Sequence, residues 1–143
     1  MADSFFLLIL PMRTLTIHLG SLKGCMGLSL RGDCTTAADA NHLSQAISQL
    51  FANAAHPPQA WVDCQQLHSL SWLGQRALLQ VDSRTRAHGT TLYWCGLPSE
   101  LHNQLAASGL SSALHLLPAD GYQGPRFLLP EVGQPTSPAG LDW

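Results

Sequence analysis

The stretch VDCQQLHSLSWLGQRALL, residues 62–79, decides the fold. It begins with the end of an apolar run that stops at Asp63 and Cys64 and is typical of a buried strand. The apolar residues that follow recur at the spacing of a helix. A strand, a short loop and a helix in this order form the junction where α/β proteins usually contact ligands and partners. Here Trp72 and Leu73 occupy the start of the helix, where a phosphate site would favour small hydroxyl residues.

Strands and helices alternate on both sides of this junction. Residues 13–19 and 26–30 predict two strands joined as a hairpin, and strands are also predicted over 60–64, 91–95 and 113–117. Apolar residues at helical spacing predict a helix over 43–54, with Thr35 or Thr36 as its cap, and Pro98 opens a later helix. This pattern predicts an α/β sandwich with a mixed four- to five-stranded sheet and about three to four helices.

The two ends of the chain differ from this body. Residues 1–12 form an N-terminal extension whose FFLLIL segment is too short to cross a bilayer. This extension is interpreted either as an extra edge strand or as a segment that is not native, in which case Met12 is the true first residue. A membrane anchor is the weaker alternative. Residues 119–143 form a tail rich in Gly, Pro and Ser, which predicts a loose segment, with 127–129 docking back on the body as an alternative. We expect residues 1–11 and 120–143 to be dispensable for folding.

The composition argues for a partner that is a protein. The 143 residues include 45% hydrophobic and only 11% charged residues, and the formal net charge is -2. A chain with so few charged residues and a slightly negative net charge has no basic face for nucleic acid or anionic lipid. No export signal is recognised, so a cytoplasmic location is expected, without direct membrane insertion.

No catalytic or metal-binding pattern is found. The four cysteines are not spaced as a CxxC pair, and the seven histidines form no HxH or HExxH motif. Cys64 and His68 are four residues apart, but a strand that leads into a loop need not direct them to one site. We therefore predict a protein that is not an enzyme and has neither a cofactor nor a metal.

Four stretches in sequence order resemble the STAS domain, the fold of bacterial anti-sigma-factor antagonists; they are residues 28–43, 61–74, 88–98 and 105–118. The resemblance covers a domain of residues 13–118. That family carries an Asp-Ser-x-Gly motif whose serine accepts phosphate from a partner kinase. Here Gly74 matches the glycine, Ser71 stands at the aspartate, and Trp72 stands at the acceptor serine. The resemblance therefore implies a regulatory protein-binding module that is not switched by phosphate at the usual position.

The resemblance also implies where a partner binds. The family brings the loop after the second strand and the start of the second helix to one edge, which here predicts a partner surface of Asp33, Thr35, Thr36, Ser71, Trp72, Leu73 and Gly74. The implied partner is an anti-sigma-type serine kinase or another regulatory protein. The alternatives are an accessory subunit on the ATPase of an ABC-type lipid transporter, or a small-ligand sensor whose pocket is lined by Trp61, Trp72 or Trp94.

Two local questions stay open at the level of sequence. Ser71 is either the cap of the second helix or, with Ser69, a displaced phosphosite. Trp72 is either a core residue or an exposed anchor of the partner surface. If Leu73 and the residues spaced after it face inward, Trp72 lies about 100° around the helix from them, which favours exposure.

Overall fold

The order of secondary structure elements follows the predicted alternation of strands and helices. A computed structural model describes residues 14–22, 24–52 and 57–129. Its elements are β1 (Leu15–Leu22), β2 (Cys25–Cys34), α1 (Ala37–Ala52), β3 (Gln59–Leu70), α2 (Trp72–Ala87), β4 (Thr91–Cys95), α3 (Ser99–Ala107) and β5 (His115–Leu117). The predictions for FFLLIL, for Met12 as a start and for residues 130–143 lie outside the described residues.

The sheet has the strand order β1-β2-β3-β4-β5. β1 and β2 form the predicted antiparallel hairpin, and every later strand pairs in parallel with the one before it. A parallel neighbour requires a crossover connection, and α1, α2 and α3 supply these connections. In the part of the chain that the structure describes, a mixed five-stranded sheet with three helices confirms the predicted fold class.

Among the described residues, the helices α1, α2 and α3 pack on one face of the sheet. Alternate residues of each strand point to this face, and together with the helices they form one buried cluster that includes Leu28, Val62, Trp94, Ile47 and Leu105. The helix over residues 43–54 was predicted from its apolar stripe, and its residues at 43, 46, 47 and 50 are indeed buried. Helix periodicity and strand alternation therefore agree on a single core on this side.

The opposite face of the sheet is covered by residues 119–129, which we call the C-terminal strap. Tyr122 and Leu128 are buried, and Tyr122 packs on Trp61 and Cys95. Arg31 of β2 donates from Nη2 to the carbonyl oxygen of Leu128 at 2.8 Å. The loose segment predicted from composition therefore does not begin at residue 119, because apolar strand residues on this face need a cover.

β3 is longer than predicted. The sequence indicated a strand of residues 60–64 and then a loop, whereas the strand continues to Leu70. The pairing with β2 holds because β3 carries an additional residue at two places, one between Asp63 and Gln66 and one between Leu67 and Ser69. Such bulges change which face a side chain points to, so simple alternation ends at Cys64 and the sequence after it has the pattern of a loop.

No helix among the described residues has the length and apolar character needed to span a membrane.

Candidate functional site

Ser71 joins the end of β3 to the start of α2. Its Oγ accepts from the Gly74 N–H at 3.3 Å, which is the N-cap bond predicted from sequence. The same hydroxyl donates to the Thr35 carbonyl oxygen at 3.0 Å, and the Ser71 N–H donates to the Cys34 carbonyl oxygen at 3.1 Å. Ser71 therefore holds the first turn of α2 against the loop between β2 and α1.

Gly74 is the residue that permits this close approach. A Cβ built on Gly74 would lie 2.0 Å from the carbonyl oxygen of Cys34, closer than any non-bonded contact allows. The backbone of α2 thus packs directly on the end of β2 at this point. The glycine of the recognised motif has a steric reason in this chain that does not depend on phosphorylation.

Trp72 and Leu73 point to solvent on the first turn of α2. Their side chains are 62% and 44% exposed, so the interpretation of Trp72 as a core residue is wrong. The guanidinium carbon of Arg76 lies 5.6 Å from the centre of the Trp72 ring, a cation–π distance that orients the indole on the surface. We call Trp72, Leu73 and Arg76 the α2 patch.

The expectation that Leu73 faces inward is also wrong. The buried face of α2 begins with Gly74 and continues through Ala77, Leu78 and Val81. Ala77 and Val81 are buried as the spacing predicts, but in the first turn Gly74 rather than Leu73 packs on β2. Two adjacent apolar side chains, Trp72 and Leu73, are therefore exposed rather than one.

Thr36 caps α1 and lies beside the Ser71 junction. Its Oγ1 accepts from the Asp39 N–H at 3.1 Å, and Asp39 Oδ2 accepts from the Thr36 N–H at 3.2 Å and from the Thr35 N–H at 3.1 Å. This reciprocal pair is a capping box with aspartate in place of glutamate. The predicted cap is confirmed, and the loop that contains Thr35 and Thr36 is held rigidly next to Ser71.

Asp39 also fastens the start of β1, a role that sequence analysis missed. Its carboxylate accepts from the N–H groups of Thr14 at 2.7 Å and Leu15 at 3.1 Å. Burial by itself raises the pKa of this carboxyl, but the hydrogen bonds from Thr35, Thr14 and Leu15 outweigh it and lower the pKa to about 2. The only sequence signal was an acidic residue three positions after a threonine.

Asp33 and Ser69 face each other at the ends of β2 and β3. They are partners in the parallel register, and the Ser69 hydroxyl donates to Asp33 Oδ1 at 2.6 Å. A phosphate on Ser69 would be brought against the Asp33 carboxylate, and the two negative charges would repel. Ser69 therefore links β2 to β3 and is not part of the α2 patch.

Asp63, the acid that ends the apolar run, lies away from this junction. It is fully buried and accepts from the Ser29 hydroxyl at 3.0 Å and from Gln65 Nε2 at 2.9 Å. Its neighbours on the sheet face are covered by the C-terminal strap, on the side opposite the helices. The structure therefore separates Asp63 from the predicted partner surface.

Cys64 and His68 do not form a reactive pair. Cys64 is fully buried in the helix-side core, whereas His68 is exposed. Burial, with a smaller effect of neighbouring Asp63, raises the pKa of the Cys64 thiol far above its usual value. In the same way burial, with a smaller effect of Asp39, raises the pKa of Cys34 to about 12. Neither thiol is present as a nucleophilic thiolate at neutral pH.

The tryptophans proposed to line a ligand pocket lie in three separate places. Trp94 is in the helix-side core, with its Nε1 donating to Asp82 Oδ1 at 3.0 Å. Trp61 lies under the C-terminal strap, and Trp72 lies on the surface. Within the described part of the chain they line no common cavity, and no three His, Cys, Asp or Glu side chains converge as a metal site.

The architecture and the junction together indicate a class of protein. A β-hairpin that opens a mixed sheet, helices on one face and a capped helix start packed on the neighbouring loop are the features of a STAS-type domain. Solved structures agree with this fold at low sequence identity. An anti-sigma factor antagonist from Mycobacterium paratuberculosis matches at a TM-score of 0.58 and 20% identity, covering 72% of this chain and 85% of its own.

Two transporter proteins share the fold as well. A sulfate transporter family protein from Wolinella succinogenes matches at a TM-score of 0.58 and 17% identity, with 68% of this chain and 80% of its own covered. The murine Solute Carrier 26 family member A9 anion transporter matches at a TM-score of 0.63 and 10% identity, covering 87% of this chain but 23% of its own. No curated protein matches the sequence significantly.

The family follows from the sequence itself. A family model described as "Mlab, STAS domain" matches residues 17–118, which is most of the chain. The protein belongs to this STAS family, and the predicted resemblance is confirmed. The match does not address the phosphoacceptor position, where this chain has Trp72.

Proposed function

We propose that this protein is a non-catalytic regulatory module that binds a protein partner through the α2 patch and the adjoining β2–α1 loop. The observation that carries the proposal is the exposure of Trp72 and Leu73 side by side on a rigid helix start. Large aromatic side chains held in one orientation are the residues that most often dominate the binding energy of protein interfaces.

The surroundings of the patch support a protein rather than a small molecule as its ligand. Ser71 and Gly74 fix the helix start, and the bond from Ser71 to Thr35 fixes the adjoining loop. The resulting surface leaves Trp72 and Leu73 exposed and carries the Arg76 guanidinium over the indole. A small ligand would require a concave site that buries most of its surface.

Binding at this surface is proposed to be constitutive with respect to serine phosphorylation. Trp72 has no hydroxyl, the Ser71 hydroxyl both donates and accepts within the junction, and the Ser69 hydroxyl is bonded to Asp33. A partner of the type implied by the resemblance is an anti-sigma-type serine kinase or another regulatory protein, and the protein would act by occupying it. The cytoplasm is the compartment in which we place this activity.

A second candidate is an accessory subunit of a transport assembly. It is supported by the shared fold with a sulfate transporter family protein and with an anion transporter, in which a domain of this kind is part of the chain. In this case the α2 patch would contact the transporter, for which the ATPase of an ABC-type lipid transporter is our specific expectation. The two candidates use the same surface and differ in the identity of the partner.

The test is capture of partners with the full chain and two matched variants. Trp72→Ala removes the exposed indole, and Phe127→Ala removes a side chain of similar exposure, 64%, on the other face of the sheet. Proteins captured from the native host are identified by mass spectrometry. We expect one partner to be retained by wild type and Phe127→Ala and lost by Trp72→Ala. A partner retained equally by all three would place binding elsewhere and contradict the proposal.

A further inference from the structure

The exposed side of α2 extends the α2 patch toward the end of the helix. At about 100° per residue, seven exposed side chains fall within about one third of the helix circumference. The residues that α2 buries lie on the rest of the circumference. We call this exposed set the α2 stripe; its members are Trp72, Leu73, Arg76, Gln80, Ser83, Arg84 and Ala87.

The charged residues of the α2 stripe are both basic. Arg76 and Arg84 are separated by about 12 Å along the helix axis. The one acidic residue of α2, Asp82, is buried, and its carboxylate accepts from Trp94 Nε1 and from the Arg86 guanidinium. The stripe therefore carries two positive charges and no negative charge, although the formal net charge of the chain is -2.

The neighbouring helix α1 does not supply a counter-charge. Its one acidic residue, Asp39, is buried and bonded within the capping box, and it has no Lys or Arg. Arg84 donates to α1 at the hydroxyl and carbonyl oxygens of Ser44 and at the Ser48 hydroxyl, over 2.9 to 3.3 Å. These acceptors are neutral, so they hold the guanidinium in place without cancelling its charge.

The charge of Arg76 is not explained by the packing of the chain itself. In the part of the chain that the structure describes, Arg76 forms neither an ion pair nor a hydrogen bond, and its side chain contacts the Trp72 ring. The Asp33 carboxylate at the end of β2 accepts from the Ser69 hydroxyl instead. A base stabilises the last turn of a helix, where Arg84 lies, but Arg76 is in the second turn and gains nothing from the helix dipole.

We propose that the α2 stripe binds an acidic, partly apolar segment of a partner protein, an inference that rests on the proposed function. Apolar side chains of that segment would cover Trp72 and Leu73, and its carboxylates would pair with Arg76 and Arg84. A guanidinium suits a carboxylate because it can donate two parallel hydrogen bonds to it. Complementary charges beside an apolar contact select the partner and speed its association.

Nucleic acids and anionic membranes match the stripe less well. Both are bound through many phosphate contacts, and anionic lipids typically require clusters of about four to eight basic residues. The stripe has two guanidinium groups next to two large exposed apolar side chains, Trp72 and Leu73. This combination favours a protein segment over a polyphosphate surface.

The first test uses the full chain and two synthetic peptides. One is an amphipathic helical peptide with glutamate at every polar position, and the other has glutamine at the same positions. Amide chemical shifts of the isotope-labelled protein are followed during titration. We expect the glutamate peptide to shift signals of the α2 stripe, and the glutamine peptide to bind at least about tenfold more weakly. Equal binding of the two peptides, or shifts confined to another surface, overturns the proposal.

Vesicles of phosphatidylglycerol replace the peptide in a parallel titration. We expect weaker binding to these vesicles than to the glutamate peptide. Binding to the vesicles without binding to the glutamate peptide overturns the proposal and assigns the stripe to a membrane surface.

The second test changes the charge of the stripe without removing a contact. Gln80→Glu places a carboxylate between Arg76 and Arg84, and a Glu four residues before an Arg also stabilises the helix. Gln123→Glu is the matched control, because Gln123 is exposed on the C-terminal strap. We expect Gln80→Glu to raise the dissociation constant for the glutamate peptide by at least about threefold, and Gln123→Glu to leave it unchanged. Equal dissociation constants for the two variants contradict the proposal.

The same variants separate this inference from the proposed function when they are used to capture partners. A partner that Trp72→Ala retains contradicts the proposed function. A partner that Trp72→Ala loses but Gln80→Glu binds as tightly as wild type leaves the proposed function intact and overturns the acidic segment. Loss of one partner by both variants, with retention by Gln123→Glu, supports both.

Discussion

At the scale of single residues, Trp72 stands at the position where the resemblance implies a phosphoacceptor serine, which predicts that this chain lacks the usual phosphorylation switch. We expect the native protein to be a poor substrate of serine kinases of anti-sigma systems, because neither Ser69 nor Ser71 offers a free hydroxyl. The double variant Ser71→Asp with Trp72→Ser restores the motif and keeps a residue suited to the cap position. Mass spectrometry after incubation with such a kinase and ATP should find phosphate at position 72 of the variant alone.

Phosphate on Ser69 or Ser71 of the native chain at a stoichiometric level would contradict this expectation. It would show that the acceptor had moved to a neighbouring position. The single variant Ser71→Asp, which keeps Trp72, is the control for the effect of the added charge.

Substitution of Gly74 by alanine should lower the free energy of unfolding strongly although it adds only one methyl group. In Gly74→Ala the new methyl group would meet the Cys34 carbonyl oxygen at 2.0 Å, and α2 would have to move from β2. We expect a loss of about 3 kcal/mol or more in the free energy of unfolding, the upper part of the range for overpacking. Chemical denaturation measures it.

Gly109→Ala is a control for this prediction that separates steric contact from backbone conformation. Gly109 has a φ of 83° and open space around its Cα. A substitution there meets only the cost of a left-handed conformation, about 1–2 kcal/mol. A smaller loss for Gly74→Ala than for Gly109→Ala would show that α2 adjusts easily and that its packing on β2 is loose.

At the scale of elements, Asp39 connects β1, the β2–α1 loop and α1 through one buried carboxylate. Its pKa is lowered from 3.8 to about 2 in the folded protein. A lowered folded pKa contributes stability above the unfolded value, and this contribution is lost as the pH falls from about 4 to about 2. From the size of the shift, the ionised carboxylate contributes about 2 kcal/mol at neutral pH.

Asp39→Asn tests this contribution by its pH dependence. We expect the variant to be less stable than wild type at pH 6, and the difference to shrink as the pH falls through 4 toward 2. Urea denaturation at a series of pH values measures both proteins. A difference that stays constant over this range would mean that the side chain acts through its shape and cap geometry rather than its charge.

At the scale of the whole molecule, the C-terminal strap completes the side of the sheet that the helices leave open. Tyr122 is buried against Trp61 and Cys95, and its hydroxyl donates to the Pro125 carbonyl oxygen at 3.0 Å. We expect Tyr122→Ala to destabilise the fold by about 3–5 kcal/mol, the range for removal of a large buried aromatic. Thermal and chemical unfolding of the full chain measure this loss.

Phe127→Ala is the matched control within the same strap, because Phe127 is an aromatic residue that is largely exposed. It should change stability by less than about 1 kcal/mol. A loss for Tyr122→Ala as small as that for Phe127→Ala would show that the strap is not part of the cooperative unit, as the composition had suggested for residues 120–143.

The sequence by itself determined the fold and most of the element order. Helix and strand periodicities are local properties of the chain, so the apolar stripe of α1, the alternation in β1 and the cap at Thr36 could be recognised without coordinates. The position of Ser71 before Gly74 likewise predicted the cap of α2. The identities of Ser71, Trp72 and Gly74 also predicted that the usual phosphoacceptor is missing, and this stays a prediction.

Only the tertiary structure decided which way Trp72 and Leu73 point and what covers the second face of the sheet. Which residue of the first turn of α2 packs on the sheet depends on the contact between Gly74 and Cys34, two residues far apart in sequence. The length of β3 depends on bulges that exist only relative to β2. The strap has no periodicity of its own, and Tyr122 is ordered by the apolar face of the strands beneath it. Long-range packing sets these features, so they cannot be predicted from a local sequence pattern.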